Sequence, residues 1–230
     1  MPLPYVANIL TVALVSWMAL GATRASAQLA PQMVDLTVTG TIIPPACSAH
    51  FSNGAEVDFG TIARVDLPEH GYHLLGSRDT ALNVICSSGK RVFLSVSDMQ
   101  SDTALANTAM YSTLGAPSDA RYVFGLGTAS VDDEVVNLGS YTLQSTNRTV
   151  DGTVRSAIYS DNGGVAWAMN LAYLDNTTRL FTAGDGATPA LGKSFRFPLR
   201  ITAALNTGTA LQVDDDTELN GQAVFAIGYQ

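Results

Sequence analysis

The residues able to do chemistry are few and scattered. Three histidines (His50, His70, His73), two cysteines (Cys47, Cys86) and the acidic runs Asp132-Asp133-Glu134 and Asp214-Asp215-Asp216-Thr217-Glu218 are the groups that could bind a metal or move a proton. His70 and His73 stand three apart in HGYH, a spacing that does not converge two imidazoles on a strand or loop; a solvated loop is the simpler reading. The acidic runs offer the oxygens that calcium takes, yet neither follows the D-x-[DN]-x-[DN]-G order of a calcium loop, and adjacent carboxylates repel one another into solvent at a loop tip. No G-x-S-x-G elbow or G-x-x-x-x-G-K-[ST] phosphate loop occurs, and nothing near a histidine marks a Ser/His/Asp site. The expectation is a protein that is not an enzyme, with no catalytic residue, metal ligand set or cofactor to name. Trp167, in VAWAMNLAY beside Tyr173, could stack on a sugar ring, although packing is the commoner use of such a residue. The sequons Asn147-Arg148-Thr149 and Asn176-Thr177-Thr178 would mark surface loops in a secretory host.

The cysteines take their meaning from the start of the chain. Residues 5–22 (YVANILTVALVSWMALGA) carry no charge and run into Ala25-Ser26-Ala27, a small-x-small cleavage signature. This reads as a signal peptide over 1–27, cut before Gln28; the competing reading is a membrane anchor, for which the apolar stretch is long enough. The n-region MPLP lacks Lys and Arg. No second stretch of that kind follows, so the mature protein is expected to have no membrane span. In an exported chain an even pair of cysteines reads as a disulfide, and closing a loop of this size stabilises by roughly 4 kcal/mol in the chain-entropy model. The alternative is a Cys/His zinc site drawing on the three histidines.

Composition narrows the class of partner and of fold. The 230 residues hold 12 Lys+Arg against 20 Asp+Glu, a net charge of −8, so no basic face is available for nucleic acid. Only 14% of residues are charged and 47% are hydrophobic, which rules out a disordered solvating chain. Period-2 alternation runs through the mature part: Val34, Leu36, Val38; the apolar pair 80–86 and 91–97 around SSGK, hairpin-like; then 121–125, 135–144 and 153–159. In FRFPLRI (195–201) four apolar side chains face one way and two arginines the other, with Pro198 suggesting an edge or a bulge. Only 101–110 looks helical. Gly/Asn/Asp turns separate the runs, no repeat or linker cuts the chain, and the class is all-β, a single sandwich or barrel.

The two ends are the informative parts. The mature N-terminus, QLAPQMVDLTVTGTIIPPAC, is extended with no turn residue before Gly40, and the last strand, GQAVFAIGYQ, places Ala223, Phe225, Ile227 and Tyr229 on one face. A strongly apolar strand at a chain end must bury that face against something. Gly40-x-Ile42 followed by Ala46-Cys47, Cys86 at the end of an apolar strand, and the terminal alternation up to Tyr229-Gln230 resemble the pilus subunits of the bacterial chaperone–usher pathway. TVTGTIIPPAC, NGAEVDFGTI (53–62), LNVIC and the V-x-L-x-V-x-D from Val92 to Asp98 are more narrowly similar to a fimbrial-like group with a domain of unknown function (DUF1120-like). The resemblance covers residues 34–98 and 194–230, and the mature chain is longer than a typical shaft subunit.

That resemblance implies an immunoglobulin-like β-sandwich lacking its last strand, over 37–230, preceded by a donor-strand extension at 28–36. Such a fold leaves about five side chains of core uncovered, worth roughly 8–15 kcal/mol, as much as a whole domain's stability. A periplasmic chaperone would lend a strand, and the next subunit's extension would replace it at the outer-membrane usher, strand addition that builds an open head-to-tail fibre at the cell surface. Carried onto this chain, Leu29, Met33, Val34 and Leu36 are candidate plugs, with 29/31/33 and 34/36/38 on opposite faces. Ala223, Phe225, Ile227 and Tyr229 would face the chaperone or the neighbouring subunit, with the Gln230 carboxylate as anchor. The groove would lie between a first strand at 38–43 and the terminal strand, and Cys47–Cys86 would pin the first strand to its neighbour. The function so implied is a structural fimbrial subunit; the alternative is a secreted or fimbria-associated module binding a carbohydrate or host-surface ligand, with residues 99–193 holding the ligand loop.

Overall fold

The computed structural model describes residues 46–169 and 172–230. The expected leader (1–27), the donor extension with Leu29, Met33, Val34 and Leu36, and the expected strand at 38–43 lie outside the described residues. Eight principal strands organise the rest: β1 (Cys47–Ala55), β2 (His73–Lys90), β3 (Val92–Asp98), β4 (Gly139–Gln144), β5 (Ser156–Ser160), β6 (Leu180–Asp185), β7 (Gly192–Leu205) and β8 (Ala223–Tyr229). They form two antiparallel sheets. One runs β1-β2-β7-β4 and ends on the short strand Phe124–Gly125; the other runs from Ala168–Met169 through β5-β6-β3 to β8. The inner faces pack together through Leu82, Val84, Phe195 and Phe197 from the first sheet and Leu94, Val96 and Phe181 from the second. This is an all-β sandwich, the class that the alternation predicts.

Alternation becomes layer geometry most directly in β7. Phe195, Phe197, Leu199 and Ile201 are all buried, while Arg196 reaches out to Asn83 and Ser52 and Arg200 pairs with Asp79 at 2.9 Å. The placement of Pro198 corrects the sequence expectation. The strand is central, bonded to β2 throughout, yet on its other flank pairing stops after Phe195 and Arg196 with Thr149–Val150 and resumes only at Arg200 with β4. Pro198 falls in that gap, where the missing N–H costs no ladder bond.

A second correction concerns 80–86 and 91–97. They are not a hairpin: SSGK continues β2 as far as Lys90, opposite Gly192, and the chain then crosses to the other sheet as β3. Both runs are apolar on their inner faces, so the sequence pattern is the same whether they pair or face each other across the core. Other expected strands are divided, 135–144 into Glu134–Asn137 and β4, and 153–159 into Thr153–Val154 and β5. The helical stretch settles later than expected, as a helix over Thr108–Leu114. Asn107 caps it by accepting from the Met110 N–H, and Gly115 ends it at φ 66°.

Two cross-links brace the sandwich, one within a sheet and one between the sheets. Cys47 and Cys86 are directly opposite in the β1–β2 ladder and form the disulfide expected of the cysteine pair. Between the sheets lies a fully buried cation, Arg148, in the segment that bridges the pairing gap on β7. Its guanidinium donates to the Thr182 carbonyl at 2.6 Å and the Ile158 carbonyl at 3.3 Å, both in the opposite sheet, and to Ser145 Oγ at 3.2 Å. Burial pushes its pKa down to about 9, so it remains charged at neutral pH with neutral oxygens as its partners. Truncating it strands two buried carbonyls and opens a void. Arg148→Ala should therefore lower stability in urea titration by about 3 kcal/mol, against less than about 1 kcal/mol for the exposed Arg196→Ala.

Candidate functional site

The sandwich is closed along one flank by paired strands and loops and left open along the other. There the edges are β1 in one sheet and β8 in the other, and among the described residues neither outer edge takes a backbone partner. Phe51 and Phe225 meet edge to face across the gap, with ring centroids 5.5 Å apart. From that contact, on the side away from the disulfide, a cleft of about 1140 Å³ opens into the core. Its floor is Leu143, Leu199, Ile201 and Leu205, all buried, with Tyr141 beside them. Burial, together with the nearby Asp98 carboxylate, holds the Tyr141 phenol un-ionised well above its ordinary range.

The walls are irregular segments, and local chemistry shapes them. One wall is the continuation of β1 through Val57, Phe59 and Ile62, which turn half-buried side chains onto the core; Arg78 stacks on Phe59 at 5.1 Å and donates to the Asp58 carbonyl. The other is the connection from β7 to β8, which contributes Leu211, Val213 and Leu219. The two walls are tied at the far end, where the Gly208 N–H donates to the Pro68 carbonyl at 2.7 Å and the Thr209 hydroxyl to the Glu69 carbonyl at 2.9 Å. A Cβ at Gly208 would lie 3.0 Å from the Leu67 and Pro68 carbonyl oxygens, so glycine permits this approach. The walls narrow the cleft without filling it. Among the described residues, the Thr80 hydroxyl in the lining has no hydrogen-bond partner.

The expected site residues divide between the cleft and its surroundings. Ala223 and Phe225 line it; Ile227 packs on the core beyond it and Tyr229 is 41% exposed at the disulfide end. Gln230 continues the strand by exchanging both backbone bonds with Arg91. The groove border expected at 38–43 lies outside the described residues; among those described, the edge of the first sheet is β1, which begins at Cys47. The second acidic run lies on one lip of the cleft, and Glu56 and Asp58 lie on the other. Sequence reasoning misses the whole 56–67 wall, whose signal is the alternation of Val57 and Phe59 after the turn at Gly54.

The other candidates lie elsewhere. Trp167 stacks on Phe93 of β3 at 5.3 Å and donates to the Gly164 carbonyl, so one ring face and the indole N–H are already engaged. Next to it Arg179 lies 4.1 Å over the Tyr159 ring and pairs with Asp161 at 2.6 Å and the buried Asp175 at 2.9 Å, a network that ties down the loops on that sheet. His50 lies in β1, His73 begins β2 and His70 is in the loop before it; among the described residues no three His, Cys, Asp or Glu side chains come together as a metal cluster would require.

Comparison with known proteins gives relatives that align over most of the chain. Residues 36–142 match a family described as protein of unknown function (DUF1120). The chain is 24% identical over 223 residues to protein GltF of Escherichia coli K12, covering 85% of this chain and 87% of that protein. It is 26% identical over 227 residues to the uncharacterized protein YhcF of the same organism, covering 89% and 93%. The family match runs from before β1 into the start of β4, taking in the disulfide and the first cleft wall but not β8; the two relatives align over most of the chain.

A cleft with an apolar floor should bind an environment-sensitive hydrophobic dye. Placing a carboxylate on its wall with Val57→Asp should weaken dye binding about tenfold or more, the factor that corresponds to losing one apolar side chain's burial, whereas Val165→Asp on a loop of the other sheet should leave it unchanged. Fluorescence titration of the two variants checks this.

Proposed function

We propose that this chain is a structural subunit of a bacterial surface fimbria that is completed by a β-strand from another polypeptide. The observation that carries this reading is the open flank: the outward N–H and C=O groups of β1 and β8 are unpaired among the described residues, and beside them a cleft walled by 56–67 and 211–221 opens onto an apolar floor. Such a feature is a liability in a finished sandwich, because an exposed edge over apolar surface recruits other chains. As an acceptor it has a use. An inserted strand would pair with β1 and β8 at once and drop alternate side chains onto Leu143, Leu199 and Ile201, the mode of recognition known as strand addition.

The chain's own extension suits the complementary role. Residues 34–38 alternate Val34, Leu36 and Val38 with Asp35 and Thr37, the pattern of a strand with one face to bury. The chain enters the domain at the disulfide end of β1. To fill its own cleft, the extension would have to reverse through Ile43-Pro44-Pro45-Ala46. That sequence offers none of the Gly, Asn or Asp residues that a tight hairpin turn uses, so donation to a second subunit is the favoured course. Passed from subunit to subunit head to tail, strand donation of this kind gives an open fibre. In this proposal a leader at 1–27 directs export, a periplasmic chaperone lends a strand until assembly at an outer-membrane usher, the disulfide fixes β1 beforehand, and no catalysis is involved.

Deleting residues 28–36 should leave a subunit that is captured by its chaperone but does not polymerise. Electron microscopy of cells and co-purification with the chaperone read the two steps separately, and normal fibres from the deleted chain would overturn the proposal. Cys47→Ser should lower the periplasmic yield, because β1 would no longer be fixed when the chaperone arrives.

A further inference from the structure

The lips of the cleft carry a charge pattern that constrains what enters. Glu56 and Asp58 stand on one lip, and Asp214, Asp215, Asp216 and Glu218 on the other, all of them exposed; among the described residues Arg64 is the single cation lining the cleft. Arg78 stands near the first lip but is committed to Phe59 and the Asp58 carbonyl. The potential at the mouth is therefore strongly negative above an apolar floor. A strand lying in the cleft turns alternate residues inward, and the residues between them face outward, level with these lips. The inward set must be apolar, and the outward set is opposite carboxylates.

The chain's own extension fits the floor but not the lips. Residues 28–45 contain neither Lys nor Arg, and the charge among their side chains is Asp35, which alternates outward when Val34, Leu36 and Val38 face in. A second copy of this chain would thus present a carboxylate to carboxylates. Resting on the strand-acceptor reading above, we infer that the natural occupant of this cleft is a different polypeptide, a strand with an apolar inward face and Lys or Arg on its outward face. The subunit's neighbour on the cleft side is then not another copy of itself, and the run Asp214 to Glu218 acts as a selectivity filter against self-polymerisation, through the repulsion that separates wrong partners from right ones.

The test uses the purified, oxidised full chain and three synthetic peptides of residues 28–45, with binding measured by fluorescence anisotropy. The first has the natural sequence, the second carries Asp35→Lys, Thr37→Lys and Thr39→Lys, and the third has the same lysines with the apolar residues scrambled out of alternation. At about 0.1 M salt the second should bind about tenfold more tightly than the first. That advantage should vanish at about 1 M salt, where the screening length falls to about 3 Å, and in the chain carrying Asp214→Asn, Asp215→Asn, Asp216→Asn and Glu218→Gln. If the natural peptide binds as tightly as the lysine peptide at low salt, the selectivity inference is wrong and the strand-acceptor reading stands. If neither alternating peptide binds, or the scrambled one binds equally well, the cleft is not a strand site and both fall.

Discussion

Everything in this structure follows from two sheets that share one core and are joined at only one flank. A β-strand satisfies its backbone on both sides only when it has a neighbour on both sides, and an apolar face leaves water only when something covers it. At the flank bordered by β1 and β8 the first condition fails among the described residues, and the walls at 56–67 and 211–221 meet the second while leaving a cleft. The Phe51–Phe225 contact seals the disulfide end and the loop-to-loop bonds at Gly208 seal the other. Between them Leu143, Leu199 and Ile201 form the floor of the cleft.

That scaffold is stiff where it needs to be. The long β2–β7 ladder forms the floor of the cleft, and the proline within it is tolerated because the neighbouring strand is interrupted at that point. The same interruption sends Arg148 inward, where it holds the carbonyls of the opposite sheet and keeps the two layers in register behind the cleft. The disulfide ties β1 to β2 at the end from which β1 would otherwise peel, so the acceptor edge is presented as a fixed strand. These features favour an acceptor whose shape is set before the incoming strand arrives, which reduces the ordering cost of association.

Much of this was legible from residue pattern alone. The alternation of Phe195, Phe197, Leu199 and Ile201 announces a strand with one buried face, and the burial of all four follows from the period of two shared by side chains and sheet. The cysteine pair, read with the apolar leader, predicts the cross-link that the structure contains. What pattern could not resolve was pairing. Residues 80–86 and 91–97 have the inward apolar faces that a hairpin or a pair of facing sheets would both require, and only the three-dimensional arrangement separates the two. Pro198 shows the same limit: the missing N–H demands an absent neighbour, which an edge strand supplies and so does a gap beside a central one.

The sequence by itself determined the all-β class, the strands with the clearest alternation, their apolar faces and which two sulfurs meet, because these depend on neighbours one or two positions apart and on a loop closed between a single pair of thiols. Only the tertiary structure decided that Val57, Phe59 and the acidic run at 214–218 share the mouth of one cleft, and that this cleft lies between β1 and β8. Those residues are separated by more than 150 positions, and their proximity arises from the order in which strands take their places in two sheets, which the alternation along any one strand does not encode.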